Sequence, residues 1–138
     1  MASLLIVEDN AGMRSLITSV VADLFEAVTE CDDGAHALCV YRECRPDWVF
    51  MDIRMAGLDG IAATSLIKDA FPEARIAIVT DYDDAKLRRA ARDAGACAYI
   101  LKDDLLELRR ISGAHIVLEP EGIVKRSIIP QLKQWDEI

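Results

Sequence analysis

Long apolar runs are missing from this 138-residue chain, and no stretch approaches the ~20 residues of a membrane-spanning helix. No basic segment followed by an extended apolar region opens it, so no secretory leader is visible. Together these absences lead to an expected cytoplasmic location, with no membrane partner. Basic charge is also short. Sixteen Lys and Arg stand against 24 Asp and Glu, for a net charge of −8. That balance argues against a sequence-independent hold on DNA or RNA by this chain itself, and leaves protein partners open. The four cysteines (Cys31, Cys39, Cys44 and Cys97) form no Cys-x-x-Cys pair and fit no zinc spacing, so they read as free thiols. Neither a Gly-x4-Gly-Lys nor a Gly-x-Gly-x-x-Gly loop is present, which disfavours nucleotide enzymes. There is no internal repeat and no low-complexity segment.

What is present is the composition of a soluble globular domain, 52% hydrophobic and 29% charged. Short apolar runs alternate with amphipathic stretches. Strands are expected at 3–7, 27–31, 48–52, 75–80 and 98–101. Helices are expected at 11–24, 35–43, 60–70, 83–94 and from Asp104 to about Ile111. Asn10 is a plausible N-cap for the first helix and Asp103 or Asp104 for the last. Pro46, Pro72 and Gly95 mark stops. Five alternating β and α units imply a parallel sheet covered by helices on both faces.

In such a sheet the binding crevice lies outside the carboxyl ends of the strands. Four separated pieces stand at those ends: the acidic pair Glu8–Asp9 after Leu4-Leu5-Ile6-Val7, Asp52 after Trp48-Val49-Phe50-Met51, Thr80 after Ile76-Ala77-Ile78-Val79, and Lys102 after Tyr99-Ile100-Leu101. Each alone is ordinary: acids favour helix N-termini, and a strand-end Thr or Lys is common. Together they equip one pocket for moving a phosphoryl group onto a carboxylate. Asp52 is the candidate nucleophile. Glu8, Asp9 and Asp52 supply the oxygen ligands that Mg²⁺ prefers. Lys102 offers a fixed positive charge and Thr80 a hydrogen bond to the phosphoryl oxygens.

These residues carry a resemblance. Leu5-Ile6-Val7-Glu8-Asp9-Asn10, Met51-Asp52-Ile53-Arg54-Met55, Gly57-Leu58-Asp59-Gly60, Thr80, Gly95-Ala96 and Ala98-Tyr99-Ile100-Leu101-Lys102 resemble the receiver domain of bacterial two-component response regulators. The resemblance covers about residues 3–112. It implies an α/β, doubly wound, five-stranded parallel sheet of the flavodoxin-like kind, with strand order 2-1-3-4-5. It further implies a phosphoacceptor signalling switch rather than an enzyme, with Asp52 receiving a phosphoryl group from a histidine kinase or phosphotransfer protein. Glu8, Asp9, Asp52 and the backbone carbonyl of Arg54 would hold Mg²⁺. Thr80 and Lys102 would contact the phosphoryl group, and the Tyr99 rotamer would follow Thr80. A downstream protein, or a second copy, would read the surface from about residue 83 to 111.

Four positions bear on how closely the chain follows the family pattern. Ala56 stands where the family usually has Pro. Asp81 replaces a commonly small residue, and an acid there either crowds the phosphoryl site or points to solvent. Arg54 and Tyr82 occupy the flanking positions that tune phosphate lifetime, and their bulk is expected to shield the acyl phosphate from water. Arg54 also stands where aspartyl-phosphate hydrolases commonly carry a second acid, which disfavours that activity. The alternative function is a degenerate receiver acting as a constitutive protein-interaction module. Residues 1–112 are expected to form the receiver domain, and 113–138 a C-terminal extension or the start of a linker. In that extension Ile128, Ile129, Leu132 and Trp135 would share a helical face, with Ser127 as cap.

Overall fold

The computed structural model describes residues 2–113 as five strands and five α-helices in strict alternation. The expectations for the segment from Ile116 to Trp135 lie outside those residues. The strands are β1 (Ala2–Val7), β2 (Phe25–Cys31), β3 (Trp48–Met51), β4 (Ile76–Thr80) and β5 (Ala98–Leu101). All neighbouring strands pair in parallel, in the order β2-β1-β3-β4-β5. The expected doubly wound sheet and its strand order are therefore both present.

The helices are α1 (Ala11–Val21), α2 (Ala37–Cys44), α3 (Gly60–Ala70), α4 (Ala85–Asp93) and α5 (Leu106–Gly113). Their placement follows from chain direction and handedness. The first crossover steps outward from β1 to β2, and the later ones step the other way across the sheet. Right-handed crossovers then put α1 on one face and α2, α3 and α4 on the other. Side chains obey the two-residue period of a strand. Leu5, Val7, Val49, Met51, Ile76, Ile78 and Tyr99 pack with Tyr41 of α2, Ile67 of α3 and Ala91 of α4. Leu4, Ile6, Trp48, Phe50, Ala77, Val79 and Ile100 pack with Ile17 and Val21 of α1 and Leu108 and Ile111 of α5. Both faces of the sheet are thus dry, which is why the strands read as continuous apolar runs.

Local chemistry sets the helix starts. Asn10 accepts from Met13 N at 2.8 Å, Asp59 from Ala62 N at 2.9 Å, and Asp84 from Lys86 N at 2.8 Å and Leu87 N at 3.0 Å. Each satisfies donors that a helix leaves unpaired in its first turn. Several boundaries shift from expectation: β2 starts two residues earlier and α2 and α4 two residues later, while the end of α1 and the start of α5 shift for reasons visible in the fold. α1 ends at Val21, and Ala22–Leu24 tighten into a 3-10 turn. Arg109 of α5 explains the stop: its Nη1 donates to Val20 O at 2.9 Å, and its guanidinium also pairs with Asp23. The last helix begins at Leu106 rather than Asp104, because Lys102–Asp104 form a 3-10 turn directly after β5.

Gly60 positions α3 against the site. Its N–H donates to Ile53 O at 2.8 Å, and a Cβ placed there would lie 1.8 Å from Asp52 O. Only a residue without a side chain lets the helix start this close to the strand end.

Candidate functional site: an acidic pocket at the carboxyl edge of the sheet

Register brings the acids together. Val7 lies beside Met51 in the β1–β3 pair, so the next residue on each strand, Glu8 and Asp52, also come side by side. The Asp52 N–H donates to Val7 O at 2.9 Å, and the Glu8 N–H to Cys31 O of β2 at 3.0 Å. One carboxylate oxygen from each of Glu8, Asp9 and Asp52 lies within 4.8 Å of the others. Glu8 and Asp52 are buried at 2% and 5% exposure, while Asp9 is exposed.

Lys102 answers this charge. Its ammonium stands 2.9 Å from Glu8 Oε1 and 3.4 Å from Asp52 Oδ1. Burial disfavours the Lys102 charge, but the pairing with Glu8 and the charge of Asp52 outweigh it, so its pKa is raised. Asp52 moves much further from its ordinary value. Burial, reinforced by the Glu8 charge, pushes its carboxyl up to about 7, against the opposing pull of Lys102 and of the Ile53 N–H. Ile53 N donates to Asp52 Oδ1 at 2.9 Å and fixes the carboxylate plane. The 3-10 turn after β5 keeps Lys102 at the strand end, where it can reach both acids.

The donor set suits a hard divalent cation. All three candidate ligands are carboxylates, the class that Mg²⁺ selects over softer metals. Glu8 Oε1 is buried and faces a positive charge, the Lys102 ammonium at 2.9 Å. A buried carboxylate oxygen that already answers a cation suits a place in a cation's ligand set.

Thr80 and Tyr99 meet at one residue, Tyr82. Thr80 is fully buried, and its Oγ1 accepts from Tyr82 N at 3.2 Å. Tyr99 is 3% exposed, and its hydroxyl donates to Tyr82 O at 2.6 Å. The two side chains therefore hold opposite ends of the Tyr82 residue. Burial pushes the Tyr99 phenol up to about 12, so it remains a donor at neutral pH. The Arg88 guanidinium lies over the Tyr99 ring at 4.7 Å.

Arg54 and Tyr82 stack, with the guanidinium 4.8 Å from the ring centroid. This joins the loop after Asp52 to the loop after Thr80. The Asp81 side chain is 71% exposed, and its Oδ2 stands 4.0 Å from the Lys102 ammonium. Of the two orientations left open by the sequence, the solvent-facing one is adopted, with one oxygen at the edge of the pocket.

One residue at this edge was not singled out in the sequence. Arg14 of α1 donates through Nη1 to Glu8 O at 2.8 Å and through Nε to Glu30 Oε1 at 2.7 Å. An arginine in the first turns of an amphipathic helix carries no signal of its own, since both partners come from other elements.

With this geometry in view, similarity to known proteins becomes informative. Residues 4–111 match the family described as the response regulator receiver domain. This chain is a member of that family. Among curated relatives, the chemotaxis protein CheY of Halobacterium salinarum is 39% identical over 98 residues, covering 71% of this chain and 82% of that protein. The response regulator protein VraR of Staphylococcus aureus is 34% identical over 128 residues, covering 88% of this chain. The match spans 61% of VraR, so VraR is the longer protein. Among solved structures, a LuxR-family two-component response regulator from Aurantimonas superposes with a TM-score of 0.77 at 28% identity. That match covers 95% of this chain and 97% of the other. Among the described residues no helix of this receiver domain is long and apolar enough to cross a membrane.

Proposed function

We propose that this receiver domain is a switch in a two-component phosphorelay, in which Asp52 accepts a phosphoryl group from a histidine kinase or phosphotransfer protein. The observation that carries this reading is the convergence of Lys102 on Glu8 and Asp52 beside Asp9. In the transfer, an Asp52 carboxylate oxygen forms a bond to phosphorus as the phosphorus–nitrogen bond to the donor imidazole breaks. The electron pair leaves with the imidazole nitrogen, which takes up a proton. Glu8, Asp9, Asp52 and the Arg54 carbonyl would hold Mg²⁺, which when bound supplies neutralisation of the converging anions. Lys102 leaves its partial hold on Asp52 to pair with the phosphoryl oxygens, and the Ile53 N–H keeps the carboxylate oriented.

The output follows from the Tyr82 residue. A phosphoryl group adds about −1.5 to −2 charges, and the Thr80 hydroxyl turns to donate to it. Tyr82 N then loses its acceptor, and the Tyr99 bond to Tyr82 O is re-set with it. The loop and the face from about residue 83 to 111 shift population toward a form that a downstream protein or a second copy prefers. The Arg54–Tyr82 stack would limit the approach of water to the acyl phosphate. Residues 1–112 act as the receiver unit, and 113–138 as an extension or linker start.

Intact-mass measurement after incubation with acetyl phosphate tests the reading. The chain gains a phosphoryl mass with Mg²⁺ and not with EDTA, and Asp52→Asn loses the gain. No gain under any condition would instead favour a constitutive interaction module, to which the Asp81 carboxylate near Lys102 lends some support.

A further inference from the structure

The β1–α1 loop carries two of the three pocket acids, and its path is held from three sides. The Glu8 N–H is bonded to Cys31 O of β2 at 3.0 Å. Asn10 N donates to Glu8 Oε2 at 3.1 Å while the Asn10 side chain caps α1. The third hold is Arg14. Its guanidinium bridges Glu8 O at 2.8 Å and Glu30 Oε1 at 2.7 Å, and its side chain is only 18% exposed. Glu30 lies on β2, opposite Ile6 of β1. The arginine therefore ties the peptide that carries Glu8 to the neighbouring strand.

We propose that Arg14 is a positioning residue for the cation site, acting through the Glu8 carbonyl and anchored by Glu30. This rests on reading the acidic pocket as a Mg²⁺ site. Two physical effects of Arg14 oppose each other, and their signs differ. As a bare positive charge near the pocket, it repels a divalent cation, so removing it would tighten binding. As a two-donor fork holding the loop, it keeps Glu8 and Asp9 at ligand spacing, so removing it weakens binding. Outer-shell partners of ligating groups typically contribute about 10–100-fold in metal affinity. Glu30 offsets most of the charge effect, because its carboxylate is paired with the same guanidinium. Positioning therefore wins. Lysine cannot replace the fork, since one ammonium does not present two donors in fixed geometry.

The test is the Mg²⁺ dissociation constant of the unphosphorylated full chain, measured by calorimetric titration. Amide shifts of Asp9 and Asn10 are followed in parallel. Arg14→Ala is expected to weaken Mg²⁺ by about tenfold or more, and to spread the Asp9 and Asn10 resonances. Glu30→Ala weakens it less, and its effect disappears in the Arg14→Ala background. Unchanged or tighter binding in Arg14→Ala overturns the proposal, as does strict additivity of the two substitutions. Should Arg14→Ala not fold, Arg14→Lys decides: weaker binding supports positioning, and wild-type affinity overturns it. A wild-type chain that binds no Mg²⁺ overturns the proposal together with the cation reading of the pocket, whereas failure to accept phosphate with Mg²⁺ bound leaves the Arg14 result standing.

Discussion

Two loops border the pocket, and they are built to opposite ends. The β1–α1 loop is held by bonds that do not involve Asp52: Cys31 O, the Asn10 cap and the Arg14 fork. The β4–α4 loop is held by Thr80 Oγ1 and the Tyr99 hydroxyl, and Thr80 is a group that phosphorylation would recruit. On the proposed mechanism, none of the first set of bonds would be exchanged when Asp52 is phosphorylated, whereas the Thr80 bond would be. A switch needs both kinds: ligands that stay in place, and a fastening that can be exchanged.

The comparison breaks most readily at Lys102, which serves the fixed side through Glu8 and the reacting side through Asp52. Lys102→Ala removes one member of a buried charge cluster and leaves two carboxylates without compensation. It is expected to lower the unfolding free energy by about 3 kcal/mol and to slow phosphoryl uptake by about 100-fold. Urea denaturation and timed mass spectra read the two effects. Wild-type stability would mean that Glu8 and Asp52 are satisfied without the ammonium.

Asp52 gives a pH-dependent handle on the reacting side. Its folded pKa of about 7 lies above the ordinary 3.8, so the folded form keeps a proton that the unfolded chain releases across that window. Stability contributed by this group is fully present below the unfolded value and lost as pH rises through 7. In metal-free buffer, Asp52→Asn is therefore expected to stabilise the chain at pH 8 by about 1 kcal/mol. That figure is discounted from the full linkage value for partial solvation and for Lys102. At pH 4 the gain should be nearly absent. Thermal melts at both pH values check the sign, and an equal effect at both would remove the titration from the account.

The smallest effect belongs to the exchangeable side. Tyr99→Phe deletes the hydroxyl bond to Tyr82 O and is expected to lower stability by about 1 kcal/mol, with Mg²⁺ affinity unchanged. Calorimetric titration of the variant separates the loops: an altered Mg²⁺ constant would show that they are not independent.

Much of this was legible in the chain. Both-face burial made β3 and β4 readable as continuous apolar runs, and Asn10 sits where a donor-rich helix start needs an acceptor. The four strand-end pieces could be assembled because a parallel sheet puts every strand's carboxyl end on one edge. The early stop of α1 could not be read, because the group that takes its terminal carbonyl is Arg109, 89 residues from Val20. Arg14 was silent for the same reason: its partners are a backbone carbonyl, which every residue has, and a glutamate on another strand. Side-chain orientation at Asp81 needed coordinates as well, since strand-end position fixes the backbone and not the rotamer.

Gly60 has a further consequence for how this domain can vary. Helix interiors ordinarily welcome alanine in place of glycine, and the exchange usually raises stability. Here a methyl group would collide with the carbonyl of Asp52, the proposed phosphoacceptor, at 1.8 Å. The penalty for the most conservative replacement thus falls on the reacting strand end rather than on the helix. In any screen that scores folding and phosphoryl uptake separately, position 60 should stand out as a place where a surviving variant keeps its helix and misplaces its aspartate.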